Sequence, residues 1–137
     1  MSWLAEATTL AGRFATAWSA AEPLVPVRWP SDAAPRPAAA APWLRVAVVP
    51  GDARAVGLAA DGRRLYRHHG LVAIDVFVPP GEGLARALTL ADRAAAILRG
   101  WQAPGLACGA PRLAHGDDAE GWRRASLSVP FVRDTLF

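Results

Sequence analysis

Arg64-Leu65-Tyr66-Arg67-His68-His69-Gly70-Leu71-Val72-Ala73-Ile74-Asp75-Val76-Phe77-Val78-Pro79-Pro80-Gly81 is the stretch whose reading decides the fold. From Leu71 the side chains separate by two. Val72, Ile74, Val76 and Val78 share one face; Leu71, Ala73, Asp75 and Phe77 share the other. A row of β-branched residues on one side suits a pleated, buried surface. The other face is mixed, with a carboxylate among apolar residues. A sheet with this pattern buries one face under helices and offers the other to a neighbour. Pro79-Pro80-Gly81 ends the strand, because two prolines remove two ladder donors.

On the N-terminal side, Trp43 to Val49 reads as a second strand, with Leu44, Val46 and Val48 facing one way and Trp43, Arg45, Ala47 and Val49 the other. Pro50-Gly51-Asp52 turns the chain there. The following segment is small, polar and punctuated by Gly57 and Gly62. The two strands therefore form a hairpin with a long, soft tip over 51–64, expected to be mobile until it binds. Ser31 to Pro42 is rich in proline and alanine and predicts an extended surface loop, either a solvated connection or an arm that reaches a neighbouring subunit. Val25 to Trp29 predicts a short edge strand between Pro23 and Pro30. Ser2 to about Ala20 predicts a helix with Ser2 as its N-cap. Its apolar face is Leu4, Ala7, Ala11, Phe14 and Trp18, with Glu6 away from it.

On the C-terminal side, Glu82 to Gly100 predicts a second helix, with Leu84, Leu88, Ala91, Ala95 and Leu98 inward and Gly100 closing it. Leu106 to Leu113 is a weak strand broken by Gly109 and Pro111. His115 to Gly121 is an acidic turn, and Trp122 to Val132 closes the sheet. The fold class is α+β in the order α-β-β-β-α-β-β: a mainly antiparallel sheet covered on one face by two helices. At 137 residues the whole of 1–137 reads as one domain.

Composition narrows the function. A hydrophobic fraction of 53% supports a real core. No apolar run reaches the roughly 18 residues of a membrane span, and no basic segment precedes an apolar one as in a secretion leader. A cytoplasmic site of synthesis and no membrane partner are expected. All 15 basic residues are arginine, which marks high-GC coding and favours forked pairing with carboxylates. A net charge of +3, with acids interspersed, is not the basic stripe of a nucleic-acid reader.

Few residues suggest chemistry. His68 and His69 point to opposite faces of a strand, and His115 stands alone near Asp117, Asp118 and Glu120. No HExxH, CxxC or carboxylate spacing supports a metal, so no cofactor or metal is expected. Gly81-Glu82-Gly83 lacks the lysine of a phosphate loop, and Cys108 has no adjacent base and reads as a small core residue. No catalytic constellation is present, and no enzyme is expected. The densest basic cluster is Arg63, Arg64 and Arg67, which suits a partner's acids or DNA phosphates. Six tryptophans are many for this length, and exposed ones would anchor an interface.

Trp43-Leu44-Arg45-Val46-Ala47-Val48-Val49-Pro50-Gly51-Asp52-Ala53-Arg54, Arg64-Leu65-Tyr66-Arg67-His68-His69-Gly70, Val76-Phe77-Val78-Pro79-Pro80-Gly81 and Ser128-Val129-Pro130-Phe131-Val132-Arg133-Asp134 together resemble the phage tail terminator-like family of long-tailed phages, prophages and gene transfer agents. The resemblance implies a virion protein at the head–tail junction. It implies a homo-oligomeric ring, usually of six copies, that caps the finished tail tube, stops polymerisation of the major tail tube protein and presents a surface to the head–tail connector, or stopper. DNA passes through such a channel without specific binding. The expected ring has the sheet lining the channel and the helices outside. Interface candidates are Arg54, Arg63, Arg64 and Arg67 on or beside the tip, with Tyr66, then Asp75 and Phe77 on the mixed face, and Phe137 at the end. For these arginines, pairing with carboxylates of neighbouring rings is favoured over DNA phosphates, since tight phosphate binding would hinder passage. The competing readings are a head-completion or head–tail connector ring and a small nucleic-acid-binding domain.

Overall fold

The computed structural model describes residues 2–32, 40–117 and 121–136. Helix α1 (Trp3–Ala21) starts at Ser2, whose hydroxyl accepts from the Ala5 N–H at 3.1 Å. The strands are β1 (Val27–Arg28), β2 (Trp43–Leu58), β3 (Arg64–Val78), β4 (Gln102–Ala103), β5 (Leu106–Cys108), β6 (Arg112–Asp117) and β7 (Arg123–Leu136), with helix α2 (Gly83–Leu98) between β3 and β4. The sheet order is β1-β2-β3-β7-β5-β4, and β6 pairs with β7 beside β5. Every pairing is antiparallel except that of β1 with β2. The α+β class and the two-helix layer stand as read from the sequence.

The alternation in β3 places the core. Val72, Ile74, Val76 and Val78 are all buried, level with Val129, Leu127, Ala125 and Arg123 of β7. Leu44 and Val46 of β2 continue that row, and both helices cover it with Leu10, Phe14, Trp18, Leu90, Ala94 and Leu98. Burying branched and aromatic side chains at roughly 1.5–3 kcal/mol each is what holds the helices to the sheet.

Three expectations are corrected. β2 does not turn at Pro50-Gly51-Asp52; it runs on to Leu58, with register shifts between Pro50 and Ala53 and between Ala55 and Gly57. A bulge absorbs the proline and glycine that looked like a turn. The loop proper is Ala59 to Arg63, closed by the Ala59 N–H to Arg63 C=O bond. In α1 the buried residues are Glu6, Leu10, Phe14 and Trp18, while Leu4 is 78% exposed. His115 to Asp117 is strand β6 rather than turn, paired with β7 from His115↔Ala125 to Asp117↔Arg123. Most of the predicted arm, 33–39, lies outside the described residues, as do 118–120 and Phe137.

Gly70 is where the sheet admits no side chain. A Cβ there would lie 2.4 Å from the Phe131 ring and 2.8 Å from the Val49 carbonyl oxygen.

Candidate functional site

The face of the sheet opposite the helices is partly closed by the chain itself. At one end Trp43 stacks on Phe77, ring centres 4.4 Å apart and 12° from parallel, and Trp122 completes the cluster. Phe77 is therefore buried, with the Arg45 guanidinium 5.2 Å from its ring centre. Asp75 accepts from Arg45 Nη2 at 2.8 Å and from the Ser126 hydroxyl at 2.7 Å. A carboxylate among apolar neighbours is thus satisfied across three strands, as a half-buried charge requires. Beyond this cluster the face opens. Leu71, Leu113, Ala114, Ser126, Ser128 and Pro130 line a shallow groove of about 370 Å³ with Arg112 on its rim.

The extension of the hairpin, 51–58 with 64–70, is different in kind. Residues 51–58 are all exposed, including Val56 at 46% and Leu58 at 72%. Arg63 pairs with Asp61 within the loop at 2.6 Å. Arg67 makes a fork with Asp134 of β7, 2.9 and 3.1 Å, and this bond holds the Asp134 carboxyl below the usual carboxylate range. Arg54 and Arg64 are exposed and make no ion pair among the described residues. Tyr66 is half-buried, level with Ala55 and Thr135. The eight predicted interface residues therefore do not form one site. Arg54, Arg63, Arg64, Tyr66 and Arg67 share the extension, Asp75 and Phe77 sit in the internal network, and Phe137 is not described.

Sequence reading missed a buried polar cluster beneath the first turns of α1. Arg133 donates to Glu6 at 2.5 Å, and both side chains are 2% exposed. Directly opposite Arg133, His68 bonds to Thr135 through Nε2 at 3.1 Å, with Trp3 edge-on to its ring. Burial, then the Arg133 charge, pushes the His68 pKa down. Glu6 in an alanine-rich helix gives no local signal; only its partner 127 residues away explains it.

His69 and His68 face opposite sides of β3, and the described residues hold no group of three or more metal-ligating side chains. Burial pushes the Cys108 thiol up to about 11, far from a nucleophilic thiolate. No helix among the described residues is long and apolar enough to cross a membrane.

A helix-backed sheet, a partly open outer face and a projecting hairpin make a protein of surfaces rather than of a deep pocket. A family model described as phage tail terminator protein matches residues 7–131. The chain belongs to the phage tail terminator family, and so to the structural proteins of the virion tail. A solved chain 23% identical superposes with a TM-score of 0.62, over 90% of this chain and 89% of its own, which bears on the fold alone. No curated protein matches the sequence.

Proposed function

We propose that this chain forms a ring, most simply of six copies, that caps the completed tail tube. It stops addition of tube protein and gives the head-side connector its landing surface. It acts in the virion at the head–tail junction after synthesis in the host cytoplasm, in a phage, a prophage or a gene transfer agent. It performs no chemical reaction and leaves DNA free to pass. The observation that carries this reading is the family match over 7–131, supported by a sheet whose helix-free face remains partly open. Within the ring the sheet faces the channel and the helices lie outside.

The hairpin extension is the part proposed to touch the tube or the next copy. Of the four arginines of the extension and its loop, Arg63 and Arg67 are paired, while Arg54 and Arg64 have no carboxylate partner among the described residues, so they have a fork to give a neighbour. The test is complementation of a strain lacking this gene. Removing Val56 to Asp61 leaves a folded subunit and yields tails of uncontrolled length. Tails of normal length from that deletion would overturn the assignment of capping to the extension. A subunit that stays monomeric in light scattering, alone and with tube protein, would overturn the ring.

A further inference from the structure

The two margins of the sheet are stepped, and the steps run in opposite senses. On one margin β1 covers β2 only at Leu44 and Arg45, leaving the β2 edge from Val46 to Leu58 unpaired among the described residues. On the other margin β4 lies outside β5, while β6 pairs with β7 and has no strand beyond it among the described residues. The registers fix the levels. Val27 and Arg28 of β1 are level with Leu44 and Arg45, then Val76 and Asp75, then Ala125 and Ser126, then His115 and Ala114 of β6. Gln102 and Ala103 of β4 are level with Val132 and Arg133, then with His69 and His68, and so with Ala53 on the free stretch of β2. Where one margin projects by a strand, the other is recessed by a strand.

We propose that the margins interlock between copies of this chain, β1 of one subunit lying along β6 of the next while β4 of that next subunit fills the recess above β1. Strand direction agrees. β1 runs with β2, and three antiparallel steps lead from β2 to β6, so β1 meets β6 antiparallel. The contact is head-to-tail, the kind that closes a ring, and it covers the open edge of β6 and part of the open edge of β2, edges a sheet otherwise has to protect. Two side chains wait at these margins. Arg28 of β1 has its Nε buried without an acceptor, and Leu113 of β6 is 50% exposed. This proposal rests on the ring reading above and adds which surfaces make the ring.

Amide hydrogen exchange on the full chain, followed across the concentrations over which light scattering detects assembly, tests it. Assembly slows exchange at least tenfold at alternate amides of Arg112 to Asp117 and at Val27, whose N–H turns away from β2. Leu113→Lys, at an exposed position, raises the concentration needed for assembly at least tenfold and leaves subunit melting unchanged. A ring whose β6 and β1 amides exchange as in the monomer, or a Leu113→Lys ring as tight as the natural one, overturns the interlock and leaves the ring reading standing. A protein monomeric at every concentration and with tube protein overturns both.

Discussion

The lower and upper halves of the β2–β3 hairpin share one ladder and almost nothing else. From Trp43↔Phe77 to Val49↔Leu71 the pairs carry core residues on one side; from Ala53↔His68 to Leu58↔Arg64 the β2 side chains are all exposed. Backbone bonding is similar in both halves, so the ladder is not what makes one half a foundation and the other a projection. Helices lie over the lower half. Over the upper half only the first turns of α1 arrive, and they bring a buried ion pair instead of apolar bulk. A net backbone hydrogen bond is worth about 1 kcal/mol in either half; the difference is set by what lies on top.

The largest expected effect comes from breaking that ion pair. Glu6→Leu leaves Arg133 charged and buried, and costs about 3–5 kcal/mol in urea unfolding. Combining Glu6→Leu with Arg133→Met recovers most of the loss, since two apolar side chains replace two desolvated charges. A double variant no better than the single one would show that packing of α1, not charge, is what was lost. Next comes the contrast between the halves. Ile74→Ala, fully buried, costs about 2–5 kcal/mol, whereas Leu58→Ala, 72% exposed, stays within about 0.5 kcal/mol. Equal losses would mean that the extension is packed in the free subunit.

The smallest effect is a dependence on pH. The fold lowers the His68 pKa, so between the folded value and the ordinary 6.5 the unfolded chain binds more protons. Stability is then fully present above 6.5 and declines as pH falls through the ordinary value toward the folded one. In His68→Gln the slope of the urea midpoint against pH flattens over that window. An unchanged slope would place the titration elsewhere.

Much of this was legible in the sequence, for a physical reason. Period-two alternation in Val72 to Val78 reports a face buried by many neighbours, and no single contact has to be known. In α2 the spacing found the helix and Ala91, Ala95 and Leu98 of its inward face, but Leu84 and Leu88 are only half-buried while Ala87, Leu90 and Ala94 take the core. Glu6 was not legible. Its carboxylate is buried because Arg133 meets it, and nothing near Glu6 announces that partner. Pro50-Gly51-Asp52 has the composition of a turn, but a bulge uses the same residues while the strand continues. Phe77 sits on the mixed face, where pattern cannot tell an exposed anchor from one covered by Trp43 and Trp122. Leu58 and Val56, the exposed apolar residues of the extension, had a signal that went unused: two branched side chains in an otherwise small, polar segment.

Glu6 and Arg133 also set an order of events during synthesis. As the chain leaves the ribosome, α1 emerges early and β7 late, and domains complete themselves only when their last element is out. Until β7 arrives, Glu6 has no arginine to lie against and the first helix has no reason to settle over His68. A chain cut short before Arg133 would leave the first turns of that helix without their buried partner, while Leu10, Phe14 and Trp18 still face the core. If assembly needs α1 in place, copies truncated before Arg133 are kept out of the particle by the contact they lack.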